Sequence, residues 1–98
     1  MSGGPLKTMP PALARFPLSQ IVYTGNARSR LRTEEVLIAL RRHAQGDWGD
    51  LCPEDAIAND LALQQGDKLL SAYGFGQDRF WVTTLADRSR TIVLMPED

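Results

Sequence analysis

The hydrophobic run from Leu18 to Thr24 carries β-branched and aromatic residues, and extended backbone would put Ser19, Ile21 and Tyr23 on one side and Leu18, Gln20, Val22 and Thr24 on the other. That run predicts a strand. Gly25-Asn26 follows and predicts a turn, because both residues accept left-handed backbone. From Thr33 the spacing becomes helical, and Val36, Leu37, Leu40 and Ala44 fall on one stripe. Thr33 is the expected N-cap, Glu34 and Glu35 sit at the positive end of the helix dipole, and Arg41-Arg42 complement its negative end. This helix is expected to run to about Gln45 and to stop at Gly46. A second helix is expected from Pro53, whose fixed φ suits the first helical position, to just before Gly66. Its narrow apolar stripe is Ile57, Ala58, Leu61 and Ala62, which leaves Asp55, Asn59, Asp60 and Gln64 outward.

The remainder predicts three strands, Lys68–Tyr73, Arg79–Leu85 and Thr91–Met95, rich in aromatic and β-branched residues and separated by gaps short enough for hairpins. In the second gap Asp87 can accept from the backbone amide two residues on and fix the turn. The expected order is β-α-α-β-β-β. The fold class is α+β, a four-stranded, largely antiparallel sheet with two helices packed on one face, since a bare meander could not bury both Trp81 and the Ile92/Leu94 face.

Ninety-eight residues provide one domain, and 43% hydrophobic with 23% charged residues is ordinary globular usage, which excludes a fibrous or wholly unfolded chain. Residues 1–14 are rich in Gly and Pro without periodicity and are expected to be a mobile tail, with the ordered domain spanning 15–98. There is no apolar run long enough to span a bilayer and no apolar leader segment, so a cytoplasmic protein with no membrane partner is expected. Cys52 is the single cysteine and His43 the single histidine, so no disulfide, metal site or cofactor is expected. Charge is unevenly placed. Through Gly46 there are seven Lys/Arg against two Glu, and from Asp47 onward four against ten acids.

That asymmetry defines the candidate surfaces. Asp47, Asp50, Glu54, Asp55 and Asp60 form an acidic stretch that could pair with a partner's Lys/Arg or imitate phosphates, with Trp48 either anchoring a partner or folding back to plug the junction between the helices. Arg28, Arg30, Arg32, Arg41 and Arg42 could instead meet nucleic acid, although no recognised nucleic-acid module is present. Cys52 at a helix N-terminus with His43 as base is the one nucleophilic pair available for a small hydrolase. The plainer expectation for His43 is a partly buried residue that ends its helix by bonding a carbonyl.

Arg42-His43 with Gly46-Asp47-Trp48-Gly49, then Asn59-Asp60, Leu70-Ser71-Ala72-Tyr73, Trp81-Val82-Thr83-Thr84, Ala86-Asp87-Arg88-Ser89 and Val93-Leu94-Met95-Pro96-Glu97 together resemble a family of small uncharacterised proteins. That family is common on bacterial plasmids, integrated elements and phages and is sometimes labelled a restriction-modification subunit. The resemblance covers about Ile21 to Asp98, and Leu85 departs from it where the family usually carries an acid. It implies a mobile-element setting and no reaction. The expected function is a non-enzymatic, protein-binding accessory protein that inhibits a host defence complex, a restriction or CRISPR effector, through its acidic surface. A nucleic-acid-binding regulator and a Cys/His hydrolase are the alternatives.

Overall fold

Two rows of buried residues, one from the strands and one from the helices, divide the chain into two layers. The computed structural model describes residues 14–98, so the expected tail lies, apart from Ala14, outside the described residues. The elements are β1 (Gln20–Tyr23), α1 (Gly25–Arg30), α2 (Thr33–Ala44), α3 (Pro53–Gln65), β2 (Leu69–Tyr73), β3 (Phe80–Thr84) and β4 (Arg90–Leu94). The four strands form one sheet in the order β1-β4-β3-β2. The meander β2-β3-β4 is antiparallel, and β1 joins β4 in parallel, so the α+β fold carries a mixed sheet.

Alternation along the strands turns Leu69, Ser71, Tyr73, Phe80, Val82, Thr84, Thr91 and Val93 toward the helices, where all are buried. Val36, Ala39 and Leu40 of α2 and Ala27 of α1 pack on Tyr73, Phe80, Val82, Val93 and Met95 as the main cluster. A second cluster joins Phe16, Trp48 and Leu69 to Ala56, Ala62 and Leu63 of α3. The helices thus cover the Phe80/Val82 side, whereas Trp81, Ile92 and Leu94 lie on the opposite side, half-buried. The expectation that the helices bury Trp81 is corrected by the register, because Trp81 alternates with the residues that face them.

Strand and helix ends differ from expectation at several points. Ser19 has φ 59, which stops β1 short of Leu18. Thr24 ends β1 and caps α1 by accepting from the Ala27 amide at 3.2 Å, so the residues expected to turn at Gly25-Asn26 wind into a third helix instead. The Asp98 carboxylate accepts from Thr24 Oγ1 at 2.5 Å and Asn26 Nδ2 at 2.7 Å, tying this corner to the last residue of the chain. Arg32, not Thr33, occupies the N-cap of α2, and Thr33 is the first helical residue. Leu37, placed on the inward stripe by spacing, is 51% exposed, and Ala39 takes its place inside.

The rotation of α3 is set by one residue. Asn59 is buried, and its carboxamide bonds both backbone groups of Leu70, with Nδ2 donating to the carbonyl and Oδ1 accepting from the amide at 3.2 Å. Two residues further along the same edge, the Ala72 amide donates to the Trp48 carbonyl at 3.1 Å and the Asp50 amide donates to the Ala72 carbonyl at 2.8 Å. The outward backbone groups of β2 are therefore answered within the fold, which removes a free sheet edge that could pair with another chain. Holding Asn59 against β2 turns Ala56, Ala62 and Leu63 inward and leaves Ile57, Ala58 and Leu61 outside, so of the stripe read from spacing only Ala62 faces the core, and Asn59, expected outward, is buried.

Candidate functional site

The loop from Gly46 to Asp50 is built around Trp48. The indole is 5% exposed, stacks on Phe16 at 6.3 Å between ring centroids, meets the His43 ring edge-on at 5.6 Å, and donates from Nε1 to the Asp60 carboxylate at 2.9 Å. Trp48 is a plug between α2, α3 and the sheet, and its burial leaves it unable to serve as a surface anchor. Asp47 is also occupied. Its carboxylate accepts from Arg42 Nε at 2.8 Å and from the Gly49 amide at 3.2 Å, and the Arg42 bond chiefly holds its pKa below the usual carboxylate range. Of the acidic stretch, Asp50, Glu54 and Asp55 are exposed and take part in no ion pair among the described residues.

On α3 the geometry brings these acids to an apolar ridge. Ile57 is 61% and Leu61 51% exposed, one helical turn apart. Helical spacing sets Glu54 on one flank of the pair and Asp60 on the other, and the helix carries no Lys or Arg. Glu54 and Asp55 also lie in the first turn, where the positive end of the helix dipole favours them. Sequence spacing missed Ile57 and Leu61 as surface residues, and Asn59 is the residue that could have revealed them: a side chain able to satisfy two backbone groups belongs at a sheet edge.

The arginines are spread over the structure. Arg30 pairs with Glu97 and donates to the Gln77 carbonyl at 2.5 Å. Arg42 pairs with Asp47 and lies 4.9 Å over the Tyr73 ring, and Arg28 lies 5.6 Å over Tyr23. Arg41 borders an apolar groove beside Leu37 and Leu40, while Arg32 is exposed at the start of α2. Two of the five are thus neutralised, and they do not form one row toward a single ligand.

His43 is fully buried and bonds side chains, not a helix carbonyl. Its Nδ1 lies 2.6 Å from Ser71 Oγ and its Nε2 2.9 Å from Thr84 Oγ1; Thr84 Oγ1 lies 2.7 Å from Thr91 Oγ1, which donates to the Leu18 carbonyl at 2.8 Å. The last bond fixes the direction of the whole chain. Thr91 has spent its proton on Leu18, so Thr84 donates to Thr91 and must accept from His43, which carries its proton on Nε2; Ser71 then donates to Nδ1. Burial, aided by the Arg88 charge, lowers the His43 pKa to about 4. Ser71 and His43 have the polarity of a nucleophile and base, yet all four side chains are inaccessible to solvent and a base of this pKa abstracts protons poorly near neutrality. With both ring nitrogens engaged, His43 is also not a base for Cys52, which is exposed at the start of α3.

No helix among the described residues is long and apolar enough to cross a membrane. Compared with protein-family models, curated proteins and solved structures, the chain matches none.

Proposed function

We propose that this protein is a non-enzymatic accessory protein that binds a partner protein through the outward face of α3. The observation that carries this reading is the pair Ile57 and Leu61, 61% and 51% exposed, on a helix flanked by acids and free of cations. An exposed apolar ridge with a charged rim is the composition of a protein interface, the ridge entering a groove and the rim selecting a partner of opposite charge. Asp50, Glu54 and Asp55 would meet Lys or Arg of that partner. Because Asp47 is held by Arg42 and Asp60 shares its charge with the Trp48 indole, pairing around an apolar centre is favoured over imitation of a row of phosphates. In the mobile-element setting that the sequence resemblance implies, the partner is a host defence complex in the cytoplasm, a restriction or CRISPR effector whose basic surface α3 occupies.

The test is affinity capture from nuclease-treated lysate of a host with such systems, using the wild type and Glu54→Lys/Asp55→Lys, with bound proteins identified by mass spectrometry. One stoichiometric protein is expected on the wild type, lost at high salt and bound at least about tenfold more weakly by the double variant. Equal capture by both proteins would remove the acidic rim from the account.

A further inference from the structure

The side of the sheet turned away from the helices forms a second surface, of opposite charge. Strand alternation places Val22, Leu70, Trp81, Thr83, Ile92 and Leu94 on it, and none belongs to either core cluster. Register sets Trp81, on an inner strand, between Ala72 and Leu94, and Thr83 between Leu70 and Ile92. The charged residues that the same alternation brings to this side are Lys68, Arg79 and Arg90, without one Asp or Glu, in a chain whose net charge is -1.

The hairpin joining β2 to β3 carries an exposed aromatic at its tip. Phe75 is 87% exposed, by far the most exposed large apolar residue described. Its tip is rigidly built. Gly74 has φ 84 and a Cβ there would stand 2.6 Å from the Asp78 carbonyl oxygen; the Asp78 amide donates to the Phe75 carbonyl at 2.9 Å, and Arg30 clamps the Gln77 carbonyl from outside the hairpin. Arg79 lies between this phenyl and Trp81 along the hairpin.

We infer that this face binds single-stranded nucleic acid, with bases stacking on Trp81 and Phe75 and phosphates meeting Lys68, Arg79 and Arg90. Flat aromatic platforms rimmed by cations bind unpaired strands because every base offers a π-face and every linkage an anion. A second copy of the same face is disfavoured, since stacking two such faces brings three cations against three with no acid to answer them. Duplex is disfavoured as well, because its bases are not free to stack on a sheet.

Binding is tested by fluorescence anisotropy of labelled oligodeoxythymidine and oligouridine of roughly twelve nucleotides, together with quenching of Trp81; Trp48 is 5% exposed and contributes little to quenching. Saturable binding is expected, weakening steeply between about 50 and about 200 mM salt, with a duplex hairpin bound at least about tenfold more weakly. Trp81→Ala, Phe75→Ala and Arg79→Glu/Arg90→Glu are each expected to weaken binding about tenfold or more, while Trp81→Phe retains it and guards against misfolding of the alanine variant. The inference is overturned by absence of saturable binding at the lower salt, by equal affinity for duplex, or by a Trp81→Phe affinity as low as that of Trp81→Ala. It is overturned equally by sedimentation showing self-association that Trp81→Phe or Arg79→Glu/Arg90→Glu abolishes, which would assign the face to another copy.

Discussion

Replacing His43 by alanine is expected to remove about 4 kcal/mol of folding stability, measured by urea unfolding near neutral pH. The change empties a ring-sized space between Phe16 and Trp48 and leaves the Ser71 and Thr84 hydroxyls without their partner in the core. That is a large share of the roughly 5–15 kcal/mol that holds a domain of this kind together. The same histidine gives the stability a pH dependence whose sign is fixed. Its pKa falls from 6.5 to about 4 on folding, so between these values the unfolded chain takes up a proton that the folded protein refuses. Stability should be complete above 6.5, decline as the pH falls, and level off near 4, a total loss of about 3 kcal/mol. His43→Leu should start less stable yet be flat across this window. The carboxylates Asp47, Asp87 and Asp98, whose hydrogen bonds hold them below the usual carboxylate range, contribute their own loss only at lower pH.

Gly49→Ala is expected to cost at least about 3 kcal/mol, again read by urea unfolding. Gly49 has φ 76 and forms a bridge with Ala72, and a Cβ there would stand 1.9 Å from the Ala72 carbonyl oxygen and 2.8 Å from the Tyr73 ring. The collision falls on the carbonyl that accepts from the Asp50 amide and closes the edge of β2. Relief requires the loop to lift, and lifting it withdraws Trp48 from its place between Phe16 and His43. A gain in aggregation should accompany the loss of stability, because the opened edge is free to pair with another chain.

Local chemistry made much of this fold legible. Pro53 starts α3, Gly46 and Gly66 follow the ends of α2 and α3, and Asp87 accepts from the Ser89 amide at 3.0 Å to fix the β3–β4 turn as its spacing suggested. The meander strands fall within a residue of the expected bounds. Features decided by distant partners were not legible. The parallel pairing of β1 with β4 joins residues at opposite ends of the chain. Thr24 caps a helix that Gly25-Asn26 alone would not announce. The path from His43 through Thr84 and Thr91 to Leu18 crosses four elements or linkers, so the sequence near His43 shows only a histidine at the edge of an apolar stripe. The candidate site was legible in composition but not in orientation. The acids on α3 could be read directly, whereas the ridge at their centre depends on Asn59 finding Leu70.

That ridge separates two kinds of residue that sequence alone does not distinguish, those exposed because nothing needs them and those exposed for a partner. Ile57 and Leu61 contribute to neither core cluster, so their substitution should leave folding intact. The most direct measurement is therefore the affinity of the captured partner for the wild type and for Ile57→Ser/Leu61→Ser, by isothermal titration, alongside thermal unfolding of both proteins. The account requires unchanged or slightly raised melting temperature together with binding weakened at least about tenfold. Undiminished binding by the double variant would show that the partner sits elsewhere, and a collapse in melting temperature would show that the ridge belongs to the fold.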